Sequence, residues 1–179
     1  DFYPEPTDFT LVTRMKDGTE VKVAEKYIIP RLNNCISGLE AKDAEILMLL
    51  CTGEFQGIKS KRILLRPDRL LGNIGKGILE KGRLGVIVPS LDQISDVKKK
   101  WERNNLYVVA DAVSPYTGTK KEIIDIANKV KNFNPELIVL DCIGFNRETR
   151  EIFREVTKKP VLLPRTILAR IAREIIEVR

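Results

Sequence analysis

The chain of 179 residues contains no histidine. That absence removes the commonest general base, the commonest metal ligand and every Ser-His or Cys-His catalytic arrangement. Proton chemistry, if there is any, falls to Cys, Asp, Glu, Lys or Tyr. Cysteine is scarce as well: Cys35, Cys51 and Cys142 make an odd set with no C-x-x-C pair. Such a set builds neither a secreted disulfide framework nor a metal or dithiol motif, so reduced thiols in a cytoplasmic protein are expected, with no metal and no cofactor. Long apolar runs are missing too. They stop at about eight residues where a membrane span needs ~18 or more, and no charged-then-apolar leader opens the chain, so no membrane partner is expected. Nor does one sign of charge dominate any region. The net charge is +6, but Lys, Arg, Glu and Asp are interspersed along the chain, which describes a solvated surface more than a nucleic-acid stripe, so no nucleic-acid partner is expected. Lys98-Lys99-Lys100-Trp101 is the one basic run beside an aromatic, and it reads as an exposed helix face with Trp101 packed inward.

What is present is a repeated device. Ile46 to Gly53 and Leu137 to Gly144 are short apolar runs without a helical stripe, of the length of a buried parallel strand, and each ends in Cys-x-Gly. A thiol at the carboxyl end of a parallel strand, followed by a glycine that permits a tight turn, stands where open α/β sheets bind ligands. With 43% hydrophobic residues, the chain can bury a core. After a proline- and acid-rich lead-in, Asp1 to Phe9, two alternating runs flank Asp17-Gly18 and predict an antiparallel hairpin, read as an ornament. Ile28, Leu32, Ile36 and Leu39 predict a helix from Glu25 to about Lys42, with Pro30 tolerated in its first turn and Cys35 as core filler. A short strand at Arg62 to Leu65 precedes a helix opened by Pro67 and weakened by Gly72, Gly75 and Gly77. Then come a strand at Leu84 to Pro89, a helix at Leu91 to Arg103 capped by Ser90, a strand at Tyr107 to Ala110 and a helix at Lys120 to Asn132. The strand into Cys142, a helix at Arg147 to Lys158, a strand at Pro160 to Leu163 and a helix at Thr166 to Val178 complete the pattern. The class is therefore α/β with parallel sheet, arranged as two pseudo-symmetric Rossmann-like lobes around a central cleft, with an added β-hairpin. Residues 1–82 plus 164–179 are assigned to one lobe and 83–163 to the other.

Inverting a carbon acid requires one base on each face of the carbon, and two cysteines across a cleft meet that need. Alone, a buried cysteine is ordinarily a small hydrophobe; Cys51 and Cys142 in matched contexts are the catalytic candidates. A free thiol titrates near ~8.5, so the attacking one requires activation by backbone donors, a helix N-terminus or a nearby cation. Thr52, Gly53, Ser90 and Gly144 are candidates for holding a substrate carboxylate through hydroxyl and N–H groups. Glu54 and Asp141, beside the thiols, rank second as proton relays, because a carboxylate raises a neighbouring thiol's pKa. Gln93 faces either the cleft or solvent, and Arg66 and Arg165 are each read as an anion anchor or a surface ion pair. The expected partner is a small anionic molecule, and a homodimer is compatible with the pattern. A non-catalytic anion sensor on the same scaffold is the alternative.

Six ordered stretches also resemble the AroM family: Leu11 to Arg14 with Asp17 to Val21, Leu49 to Phe55, Arg66 to Leu71, Gly85 to Pro89 with Gln93 and Trp101, Leu140 to Phe145, and Pro160 to Leu163. The resemblance covers nearly the whole chain. That family is in turn similar in layout to the aspartate/glutamate/hydantoin racemases, whose two lobes each offer one Cys to a central cleft. It implies that the two thiols are Cys51 and Cys142. Glutamate and aspartate racemases follow the second Cys with Thr-His, whereas Ile143-Gly144 stand here, closer to hydantoin and allantoin racemases. AroM proteins begin with a further strand bearing a Thr-Ile-Gly turn and an Arg that this sequence lacks, which implies a first lobe short of one strand. The resemblance implies a cofactor-independent racemase or isomerase fold and leaves the reaction unassigned.

Overall fold

The computed structural model describes residues 2–102 and 106–176. Asp1, Arg103 and Val178, at the limits of predicted segments, lie outside the described residues. Strands β1 (Thr10–Arg14) and β2 (Glu20–Ala24) pair antiparallel with Thr13 opposite Val21. Gly18, at φ 95°, makes the turn between them. Helix α1 (Glu25–Glu40) follows directly. Pro30 lies inside it, beyond the first turn where it was expected. Its missing N–H leaves the Lys26 carbonyl without its helical partner, at a place where Lys26 and Pro30 are both exposed and a carbonyl is open to solvent. Two further corrections fall on this helix. Cys35 is exposed and fills no core, and Leu39 is 47% exposed, because the stripe that turns inward ends at Ile36.

Strands β3 (Ile46–Met48) and β4 (Ile63–Leu65) form a two-stranded parallel sheet. Helix α2 (Pro67–Ile78) opens with Pro67, and its glycines do not break it. A methyl group on Gly75 would stand 2.7 Å from the ring of Trp101, so that glycine lets two helices close on each other. The second sheet is larger: β5 (Gly82–Val88), β6 (Leu106–Ala112), β7 (Leu137–Leu140) and β8 (Val161–Leu162) run parallel in the order β6-β5-β7-β8. A 3₁₀ turn, Leu91–Gln93, precedes α3 (Ile94–Glu102). Ser90 does not cap it with its side chain. Thr119, by contrast, caps α4 (Lys120–Asn132) in a full capping box with Glu122. Helices α5 (Arg147–Thr157) and α6 (Pro164–Ile176) complete the chain.

Strand alternation sorts the core. Leu137 and Val139 face one side of the large sheet with Leu84, Val86, Val97 and Trp101. Ile138, Leu140 and Cys142 face the other, against Ala127 and Val130 of α4 and Phe153 of α5. Each fully buried Leu or Ile in these layers contributes about 1.5–3 kcal/mol. The small sheet follows the same rule. Leu49 and Cys51 pack with Leu11 of the hairpin and Ile28 of α1, while Leu65 and Ile46 meet Leu168 and Ala172 of α6. Helix–loop–strand–Cys-x-Gly thus occurs twice, as α1–β3 and α4–β7, and in both copies the alternation carries past the strand end to aim the thiol inward. The protein is α/β with parallel sheets and, among the described residues, six α-helices.

Candidate active site

Both thiols line one cavity of about 170 Å³. That is below the ~300–1,000 Å³ of drug-sized ligand sites, so the space suits a small molecule. Each Cys-x-Gly turn folds back on its own sulfur. The Gly144 N–H donates to Cys142 Sγ at 3.3 Å, and the Gly53 N–H donates to the Cys51 sulfur in the same way. These donors favour thiolate, yet burial outweighs them in both turns. Burial, with the Asp141 carboxylate nearby, pushes the Cys51 thiol up. Cys142 is pushed up to about 12, chiefly by burial and then by the charge of Cys51 and Asp141. The backbone activation expected from the sequence is therefore present but loses to desolvation. Because charge on Cys51 raises Cys142, the pair favours one thiolate and one thiol over two thiolates.

The two turns are bonded to each other. Thr52 Oγ1 donates to the Asp141 carbonyl at 3.1 Å, and Lys100 Nζ donates to the Thr52 carbonyl at 3.2 Å and to both Asp141 carboxylate oxygens, the nearer at 2.9 Å. Trp101 Nε1 donates to the same carboxylate at 2.9 Å. Thr52 has thus spent its one O–H on the protein, which leaves its backbone N–H, and not the expected hydroxyl, as its donor for a substrate carboxylate. Asp141 is likewise an anchored carboxylate and no free relay.

The hairpin corrects another expectation, since it is part of the cavity and no ornament. Phe9, Leu11 and Val12 roof the space over the thiols. It is moored to the large-sheet side by Lys22 with Asp92, by Ser114 with Glu20, and by Gln93 Nε2 donating to the Thr10 carbonyl at 2.9 Å. Gln93 therefore faces the cleft, and its Oε1 is buried without a protein donor.

Of the sequence candidates, Cys51, Thr52, Gly53, Glu54, Gln93, Asp141 and Cys142 share the cavity. Four do not. Ser90 lines a separate polar cavity with Ser114 and Glu122, because the chain turns away into the 3₁₀ segment. Gly144 and Arg165 line an apolar cavity with Met48 and Leu168. The N–H of Gly144 is committed to sulfur, and the Arg165 guanidinium donates to the carbonyls of Ile143 and Gly144 at 2.9–3.2 Å. Arg165 is a clamp on the second turn, and among the described residues it forms no ion pair. Arg66 is paired with Asp68 at 2.7 Å and donates to the Phe55 carbonyl at 2.8 Å. With side-chain exposures of 10% and 5% that pair is buried, where a surface pair or an anion anchor was expected.

Two residues escaped the sequence reading. Lys100 was placed on an exposed face, but Gln93, Asp96, Val97 and Lys100 recur at 3.6-residue spacing and all line the cavity. That spacing was the available signal. Tyr116, in the turn-rich stretch before α4, hydrogen-bonds the Cys142 sulfur, and burial beside that thiol pushes its hydroxyl up to about 12. A methyl on Gly144 would stand 2.7 Å from the Tyr116 hydroxyl, so this glycine is what lets the ring approach. Nothing in local pattern marks that contact. Among the described residues no cluster of three Cys, Asp or Glu could hold a metal ion, and no helix is long and apolar enough to cross a membrane.

The backbone is similar to that of solved racemase-fold proteins with two lobes. Maleate isomerase Iso from Pseudomonas putida S16 aligns with a TM-score of 0.67 at 12% identity, over 87% of this chain and 75% of that one. A mutant of arylmalonate decarboxylase in liganded form aligns with a TM-score of 0.67 at 10% identity, over 84% and 74%. Glutamate racemase from Aquifex pyrophilus gives 0.61 at 13% identity, over 85% and 67%. No curated protein matches the sequence. The model of the family described as AroM protein matches residues 1–176, and the chain belongs to that family.

Proposed function

We propose that the protein is a cofactor-independent racemase or isomerase acting on a small carboxylate or cyclic imide, with Cys51 and Cys142 as its acid/base pair. One arrangement carries the reading: two thiols on one small cavity, each at the end of a parallel strand and each receiving the N–H of the glycine two residues on. In the reaction, one thiolate takes the proton from the substrate carbon as the C–H bond breaks and an S–H bond forms. The opposite thiol then delivers its proton to the other face, leaving a thiolate there. Atoms and charge balance without a redox partner. A raised pKa makes the thiolate scarce at neutral pH but a stronger base once formed, which suits a weakly acidic C–H. The roof of Phe9, Leu11 and Val12 keeps the reacting carbon away from bulk water. Racemase and isomerase are also the activities named for several proteins of the same fold, among them allantoin racemase from Klebsiella pneumoniae.

The test is hydrogen–deuterium exchange at the α-carbon of a panel of small carboxylates and cyclic imides, followed by NMR in heavy water. Cys51→Ala and Cys142→Ala should each reduce turnover by about 10²–10⁴-fold, the usual worth of a positioned acid or base. A protein lacking either thiol that still exchanged the proton at the wild-type rate would sink the proposal. Saturable binding of a panel member by the wild type with no exchange would point instead to the anion sensor.

A further inference from the structure

A cation on the cavity that the reaction above does not use is Lys100, which acts on Cys51 together with Asp141. Its side chain is 12% exposed and that of its partner Asp141 only 3%. Ion pairs at such depth roughly break even against desolvation, so stability alone does not account for this one. Its geometry is more informative. Thr52, whose carbonyl Lys100 holds, directly follows Cys51, and Asp141, whose carboxylate it holds, directly precedes Cys142. One ammonium therefore grips the residue adjoining each thiol, from a helix that belongs to neither turn. Trp101, the next residue, fixes the same carboxylate through its indole N–H. The other cation lining the cavity, Lys99, is largely exposed and lies 3.8 Å from Asp96.

We propose that Lys100 is the positioning residue of the thiol pair: it ties the Cys51 turn to the Cys142 turn and offsets the Asp141 carboxylate that both sulfurs face. The inference rests on the reading that the two cysteines act together. Around Cys51 stand Asp141, Asp68 and Lys100; around Cys142 stand Cys51, Asp141 and Tyr116. Glu54, Asp96 and Lys99 line the same space. Arg66 is taken up by Asp68 at 2.7 Å, whereas Lys100 bonds to the residues beside both thiols in a set otherwise dominated by acids. Removing it leaves the Asp141 carboxylate beside both sulfurs with the Trp101 N–H but without its cation.

The experiment needs no substrate. Alkylation by iodoacetamide is followed against pH by peptide mass spectrometry, with exposed Cys35 as the internal reference. In Lys100→Met, Cys51 and Cys142 should alkylate about tenfold more slowly than wild type at a fixed pH below the midpoint, the size of one pKa unit. Cys35 should not change. Lys100→Arg should retain most of the wild-type profile, and Lys100→Met with Asp141→Asn should return it towards wild type. Profiles unmoved relative to Cys35 in folded Lys100→Met, or a double variant that fails to reverse the shift, would overturn the proposal. If Lys100→Met does not fold, Asp141→Asn alone should shift both profiles to lower pH and adding Lys100→Met should shift them back; identical profiles overturn it. Because the readout is thiol reactivity, loss of the two-base reaction and loss of the Lys100 effect are separate results.

Discussion

Trp101 is where α2, α3 and the second thiol turn meet. Its ring is 1% exposed, packs over Gly75 and donates its N–H to Asp141. The three glycines of α2 therefore differ in kind, although they look alike in sequence. Gly72 and Gly77 have open space where a methyl would stand, so Gly72→Ala and Gly77→Ala should each raise stability by roughly 0.5–1 kcal/mol through helix propensity and a less entropic unfolded chain. Gly75→Ala gains the same propensity but drives its methyl to 2.7 Å from a fully buried ring, and overpacking of that kind costs about 1–3 kcal/mol. Urea unfolding of the three variants separates them: two midpoints should rise and that of Gly75→Ala should fall. Three stabilised proteins would mean that Trp101 has room to move. This distinction was not legible beforehand, because propensity is local and the tryptophan arrives from another helix. The inward packing of Trp101 was legible from its place after three lysines; the inward turn of Lys100, one residue earlier, was marked only by its spacing from Gln93, Asp96 and Val97.

At the scale of elements, the hairpin is the part whose role changed most between sequence and structure. Its two strands and Asp-Gly turn follow from alternation alone. Its position over the thiols depends on contacts with Asp92, Gln93 and Ser114, far along the chain, which no local pattern encodes. The Lys22–Asp92 pair has side chains 34% and 53% exposed, and a pair so open to solvent is worth no more than about 1 kcal/mol. Lys22→Ala combined with Glu20→Ala should therefore leave the melting temperature nearly unchanged while loosening the roof. Amide exchange in β1 and β2 should speed up, and Cys51 should alkylate faster than in wild type, with Cys35 constant. Unchanged exchange would show that Leu11 and the apolar cluster around it hold the roof without those moorings. The repeated strand–Cys-x-Gly unit was the most legible element, since short apolar runs ending in glycine fix both strand and turn. The contacts that join its two copies, Thr52 to Asp141 and Lys100 to both, were illegible because they span 89, 48 and 41 residues of sequence.

For the whole molecule, the thiol pair links function to stability through pH. In the folded protein Cys142 is held up to about 12 against an ordinary thiol value of 9.0, mainly by burial, and Tyr116, in hydrogen-bond contact with it, is also held up to about 12 against 10.0. Cys51 shifts in the same direction. A group whose folded pKa is raised keeps its proton where the unfolded chain has already lost it. Its stabilising contribution is complete below the unfolded value and is lost as pH climbs from about 9 to about 12. Each such group contributes a slope of at most about 1.4 kcal/mol per pH unit in that window, and the coupling between Cys142 and Tyr116 makes the two titrate as a pair. The acid side behaves differently. Asp8, Asp92, Glu40 and Glu122 are held low by hydrogen bonds with Lys26, Lys22, Ser60 and Thr119 respectively; their contribution is present above the ordinary carboxylate range and fades as pH falls. Because Asp92 and Glu122 are exposed and Asp8 and Glu40 only half-buried, solvent screens them and the acid limb should be shallow. The stability profile should therefore be asymmetric, shallow below pH ~5 and steeper above pH ~9. Denaturant unfolding of wild type and Cys142→Ala between pH 7 and 12 measures it. The variant should be less stable at neutral pH through its lost packing, and its curve should converge on that of the wild type as alkali removes the advantage of the buried thiol. Parallel curves across that range would mean that Cys142 ionises in the folded protein as it does in the unfolded chain, and the buried, mutually coupled thiol pair would no longer describe this site.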